Sequence, residues 1–204
     1  MAKADWLTVY PMSGEGNATV QNSGTPHKGR VQRSTTVTAV VPGLNSGKSY
    51  QVNQKPTSEY VTLDSLSFSC PFTESKITIS GKSNAQTLIF QTATGSEIEF
   101  VVPNSYTING SLSAAVNSPI QGDPGASAEF TFSIVFTNIP ANTTINELTA
   151  ALKVSTTGGQ TAQISIKQSA GDPSFEFSEG TITLEASGAA VTNQIISNTA
   201  WTLS

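Results

Sequence analysis

The sequence predicts an all-β protein, and three observations carry that expectation. Apolar and polar residues alternate along many short segments. Clusters of turn-forming residues separate those segments at close intervals. Only one stretch has the spacing of a helix. Alternation with a period of two marks half-buried strands of antiparallel sheets. Many short strands divided by turns point to a β-sandwich or barrel.

The segments follow in order. "DWLTVYP" opens the chain with Trp6 and Val9, and "RSTTVTAV" and "YQVNQ" read as two further strands. "LSFSCPF" puts Leu66, Phe68, Cys70 and Phe72 on one face, so Cys70 is expected as a buried, inert thiol. It is the one cysteine, which leaves no partner for an intrachain disulfide. "KITIS" offers Ile77 and Ile79, and "EFTFSIVF" aligns Phe130, Phe132, Ile134 and Phe136. "TTINELTAAL" (143–152) is the helix candidate, but it is short and merges into the strand-like "ALKVS", so one turn at most is expected. "AQISIKQ" and "TITLEAS" resume the alternation, and "NTAWTLS" closes the chain with Trp201 and Leu203. Between them lie "SGEG", "TATGS", "GDPGAS", "STTGGQ", "SAGDP" and "ASGAA", all turn signals.

Bulk chemistry narrows the function classes. Charged residues make up 12% of the 204, about half the usual share of roughly 25%. That balance suits an extracellular or virion-type β protein. With a net charge of −4 and only "HKGRVQR" as a basic run, no track for nucleic-acid phosphates is expected. No run of about 18 apolar residues is present, so no membrane-spanning helix is expected. The start shows neither an apolar signal region nor a lipobox cysteine, which suggests a protein not exported by that route or one whose leader has been removed.

Catalytic and metal chemistry is not expected, and neither is a cofactor. His27 is the sole histidine and sits in a Gly/Pro/Lys loop, whereas a Ser-His-Asp device needs a buried, oriented imidazole. No His/Cys cluster suits zinc. Asp5, Asp64, Asp123 and Asp172 are scattered, and "GDPG" and "GDPS" read as turns started by Asp. "GLNSGKS" (43–49) is one residue short of a phosphate loop and runs into a strand, so it reads as a hairpin turn. A sugar platform would draw on Tyr10, Tyr50, Tyr60 and Tyr106, in a chain that is only 7% aromatic.

Internal repeats organise the chain. "LSFSCPFTESKITIS" (66–80) resembles "FEFSEGTITLEAS" (175–187), and "TLIFQ" (87–91) matches "NQIIS" (193–197). "YQVNQKP" (50–56) and "ISIKQSAGD" (164–172) share a closing strand. One complete module is therefore expected over 57–172, and a second is expected to be split between 1–56 and 173–204.

"DWLTVYPMSGEG", Arg33 before a strand, and a closing Gln54 together resemble the later part of a BACON domain. "SFEFSEGTITLEASGAAVTNQIISNTAWTLS", with its Ser197, Asn198 and Trp201, resembles the early part. The central module keeps Gln168 and the Gly-rich "QGDPGASAEF" but lacks the tryptophan, with Tyr106 in the place of the later one. The resemblance implies two immunoglobulin-like β-sandwich modules. Such domains occur in Bacteroidetes proteins beside glycoside hydrolases or proteases, where carbohydrate or mucin binding has been proposed, and in proteins of Bacteroides phages, including crAss-like phages. It therefore implies a non-enzymatic virion protein, a capsid decoration or head-fibre component, that self-associates or joins other virion proteins. The alternative is a secreted or displayed glycan- or mucin-binding module.

Joined end to end, the two terminal segments read as one such domain. Trp6, Val9, Ile195, Trp201 and Leu203 are then expected as its closing core. Closure takes place within one chain, which tethering favours, or by strand exchange with a neighbouring copy.

Overall fold

The computed structural model describes residues 3–43 and 47–204. Regular structure among them is β throughout, apart from a single 3-10 turn at Pro124–Ala126. The hairpin turn expected at 43–49 falls partly on residues 44–46, which lie outside the described residues.

A β-sandwich-like unit occupies the middle of the chain. Its strands are β5 (Val61–Leu63), β6 (Ser67–Cys70), β7 (Ser75–Ser83), β8 (Leu88–Thr92), β9 (Ser105–Ile108), β10 (Leu112–Ala115), β11 (Phe130–Ile139), β12 (Leu148–Thr156) and β13 (Thr161–Gln168). One sheet runs β10-β9-β11-β7-β5 and the other β6-β13-β12-β8. Both feed a single buried cluster. β7 contributes Ile77 and Ile79, and β11 contributes Phe130, Phe132, Ile134 and Phe136. Leu88 and Phe90 from β8, Leu152 and Val154 from β12, and Ile164 and Ile166 from β13 join the same cluster. Phe90 stands 5.1 Å from Tyr106 and 6.0 Å edge-on to Phe132, ring centre to ring centre, so one side chain ties both sheets together. Cys70 is buried among these residues, and burial pushes its thiol up.

Two local features depart from simple alternation. The β7–β11 register pairs Phe136 with Ile77 but Ile139 with Ser75, so β11 carries one extra residue there. Asn138, at φ 59, takes up that bulge in the left-handed region and returns Ile139 to the core. The stretch 143–152, for which one helical turn at most is expected, contains no helix. Leu148–Thr156 is a strand, because Ala150, Leu152 and Val154 can enter the core only with a period of two. Tertiary burial overrides helix propensity in this segment.

Three hairpins lie outside the central unit. β1 (Leu7–Tyr10) pairs with β2 (Gln21–Gly24), β3 (Arg33–Ala39) with β4 (Lys48–Gln54), and β14 (Phe175–Phe177) with β15 (Ile195–Ser197), all antiparallel. Two-stranded ribbons are marginal by themselves, and most of their side chains are exposed. Residues 178–194, between β14 and β15, contain no strand.

Alternate residues of β11 carry opposite weight in stability. Phe132→Ala should cost about 3–5 kcal/mol by chemical denaturation, while Val135→Ala, on the outer face of the same strand, should stay within about 0.5–1 kcal/mol. Comparable losses at both positions would contradict the inward and outward assignment.

Candidate interaction site at the ends of the chain

The N-terminal hairpins meet the central unit at a joint built on Asn84, whose side chain is fully buried. Its Oδ1 accepts from the Tyr60 amide at 2.9 Å. Its Nδ2 donates to the carbonyls of Lys28 (3.1 Å) and Ser58 (3.2 Å), with that of Thr57 at 3.5 Å. Ser83 Oγ donates to the Tyr60 carbonyl at 2.6 Å and accepts from the Ala85 amide at 3.0 Å. The Thr57 amide donates to Gly29 O at 2.9 Å. Backbone that crosses from one unit to the next must pair its polar groups somewhere, and one carboxamide serves several of them here.

The loop before β11 covers this joint. Arg30 and Val31 amides donate to Gly125 O (3.0 Å) and Ala126 O (2.9 Å). Gly29 and Gly125 are required by the approach, since a Cβ on either would collide with facing backbone. The Arg30 guanidinium pairs with Asp123, so the Asp expected only to start a turn also holds an ion pair. Lys28 Nζ lies 2.9 Å from Glu129 Oε1, and the Tyr60 hydroxyl donates to Glu129 Oε2. Hydrogen bonds from Lys28 and Tyr60 hold the Glu129 carboxyl below its ordinary value of 4.5. Burial, followed by the same carboxylate, pushes the Tyr60 phenol well up. His27 is buried beside them, with Nε2 2.6 Å from Val31 O.

The same joint recurs at the other end. Asn198 Oδ1 accepts from the Ser174 amide at 2.8 Å, and its Nδ2 donates to Thr143 O (2.8 Å) and Asp172 O (2.9 Å). Ser197 Oγ donates to Ser174 O at 2.9 Å and accepts from the Thr199 amide at 3.2 Å. The Gly171 amide donates to Thr144 O at 2.7 Å, as that of Thr57 does to Gly29 O. Residues 60, 83 and 84 thus correspond to 174, 197 and 198, a constant spacing of 114. Strand pairing obeys the same spacing: Val61↔Ser83 and Leu63↔Gly81 become Phe175↔Ser197 and Phe177↔Ile195. The closing glutamines agree as well, Gln54 donating to Thr25 O at 2.9 Å and Gln168 to Pro140 O at 2.8 Å. This spacing corrects the repeat register expected from alternation, which set 193–197 against 87–91. The Ser-Asn pairs, not the apolar residues, identify the register.

The expected closing residues are not brought together within the chain. Trp6 is half-buried with the Arg33 guanidinium 4.6 Å over its ring, and Val9 is buried, as is Leu7, which the sequence reading did not single out. Ile195 is half-buried, while Trp201 and Leu203 are 49% and 66% exposed. Among the described residues, no strand pairing or hydrogen bond links 173–204 to 3–56. The four tyrosines are dispersed: Tyr10 is exposed, Tyr50 donates to Asn22 Oδ1 at 2.9 Å, Tyr60 belongs to the joint, and Tyr106 is core. Burial pushes the Tyr106 phenol up to about 12. Among the described residues no three His, Cys, Asp or Glu side chains gather as a metal site.

The two asparagines should differ in weight. Asn84→Ala removes four hydrogen bonds made from a fully buried position and should cost about 2–3 kcal/mol. Asn198→Ala, at a half-exposed site where water can substitute, should cost about 1 kcal/mol or less. Exchange of the Tyr60 and Ser174 amides reads the two sites separately, and equal effects would contradict the difference in cover. Glu129 makes a pH-dependent contribution. Its folded pKa is depressed, so its stabilisation is present above 4.5 and is lost as pH falls through the lower folded value. Glu97 is held low in the same sense by Thr149. The difference in thermal midpoint between the parent and Glu129→Gln isolates the joint, and should shrink as pH falls below 4.5. A gap independent of pH would contradict this.

No family model matches the chain, and none of the curated proteins does.

Proposed function

We propose that this chain is a non-enzymatic structural protein made of immunoglobulin-like, BACON-like sandwich modules, and that it serves in a phage particle as a capsid decoration or head-fibre component. The observation that carries the reading is the joint repeated at a spacing of 114 residues. A hydrogen-bonded connection used twice supports like modules set in series, with 57–172 as the central one and 1–56 and 173–204 as the two parts of a second BACON-like sandwich. That arrangement suits a scaffold that spans or decorates a surface. Support for a non-catalytic role comes from His27, whose Nε2 is held by the Val31 carbonyl, and from Asp123 and Glu129, which are both committed to ion pairs.

Gene neighbourhood and particle composition test the reading. Portal and capsid genes should flank the coding sequence, and mass spectrometry of purified particles should detect the chain in stable proportion to the capsid protein. Its absence from such particles would overturn the virion role. A second reading, a displayed glycan- or mucin-binding module, draws on the solvent-exposed Tyr10. Binding to defined mucin O-glycans on an array, lost in Tyr10→Ala, would favour it, and a blank array would dismiss it.

A further inference from the structure

The central unit contains a template for covering the two exposed end segments. Within it, β5–β8 and β9–β13 close on each other through three contacts: β7 pairs with β11, β8 with β12, and β6 runs parallel to β13. The 114-residue spacing carries β5–β7 onto residues 175–197, and β12 and β13 have their counterparts in β3 and β4. The β3–β4 pair even keeps its register, Arg33↔Gln54 standing for Leu148↔Gln168.

Core positions of the template become less covered at both ends, where Ile182, Leu184, Val191 and Tyr50 are exposed and Val52 is half-buried. Phe68, Cys70 and Ile77 correspond to Ile182, Leu184 and Val191. Cys70 is 4% exposed, whereas Leu184 is 59% exposed. Ile164 and Ile166 correspond to Tyr50 and Val52, and Ile164 at 2% exposure contrasts with Tyr50 at 42%. Residues 181–184, "TITL", alternate as a strand should, yet have no strand partner among the described residues. Among the described residues the edge of β4 away from β3 is unpaired, and it is the place that β6 occupies on β13.

We propose that residues 173–204 of one copy add to residues 3–54 of a second copy, as β5–β7 add to β9–β13 within the central unit. Thr181–Leu184 of one copy then runs parallel to Gln51–Gln54 of the next, in the register that sets Ser67–Cys70 against Ser165–Gln168. Val52 meets Ile182 where Ile166 meets Phe68. This rests on the modular reading above and names its partner, a second copy of the chain. The contact is heterologous, head to tail, so it generates closed rings or open filaments, and unpaired strand edges supply the main-chain bonds.

Light scattering on the eluting 204-residue chain tests this over a range of concentrations. The expected result is a mass that rises in whole multiples of the chain. Leu184→Asp spoils only the donating segment, and Val52→Asp spoils only the accepting one. Each variant alone should remain a single chain, with association weakened about a hundredfold or more by the uncompensated charge. Mixed one to one, they retain one good contact and should stop at twice the chain mass. Circular dichroism of each variant should keep the unfolding transition of the central unit. A parent chain that stays single at every concentration would overturn the proposal. So would variants that assemble like the parent, or a mixture that stays unpaired while the parent assembles. These outcomes are independent of particle composition: a single-chain result leaves the virion reading standing, and absence from particles leaves the strand addition standing.

Discussion

The carboxamide of Asn84 is the interaction on which the joint between units depends. It lies where the loop after β2, the crossing segment at 57–60 and the end of β7 converge. Asn84 is itself fully buried, so its polar atoms must be paired by these segments, and an unpaired buried group costs about 1–3 kcal/mol. Asparagine offers a donor pair and an acceptor on one short, planar group. Aspartate would supply no donors, and leucine would supply neither function. Holding Tyr60 in place also starts β5, which pairs with the end of β7 and thereby helps define the sheet that carries Ile77, Ile79 and Phe132.

The second joint uses the same groups with less cover. Asn84 is sealed by the loop carrying Asp123, Gly125 and Ala126, whereas Asn198 is half-exposed. Gly29 is buried under that loop, and its counterpart Thr144 is exposed. The difference follows from what lies over each joint, not from the hydrogen bonds within it. The same holds for the strands beyond. Ile182, Leu184 and Val191 have the side chains of core residues, and full burial of each would contribute about 1.5–3 kcal/mol. At both ends, apolar residues such as Leu184 and Tyr50 stand exposed where their counterparts Cys70 and Ile164 are core.

Much of the central unit is legible in the sequence because its strands are long and strictly alternating. "EFTFSIVF" and "KITIS" emerge as β11 and β7 with the expected inward residues. The strand at Leu148–Thr156 was harder to read, because "INELTAAL" has good helix formers and its alternation shows only once Val154 and Thr156 are included. The repeat was legible in kind but not in register. Alternation is unchanged by a shift of two residues, so "NQIIS" fits "TLIFQ" as readily as its true counterpart. The Ser-Asn pairs at 83–84 and 197–198 carry the missing information, and their role is visible only when the carbonyls they serve are in place. Long-range partners such as Arg30 with Asp123, or Lys28 with Glu129, have no local signature.

Hydrogen exchange at Thr181–Leu184 and Gln51–Gln54, followed as a function of chain concentration, tests the complementary-ends account most directly. The account predicts that both stretches become protected together as concentration rises and lose protection together on dilution, while the central unit stays protected throughout. Exchange rates in both stretches that do not change with concentration would contradict it.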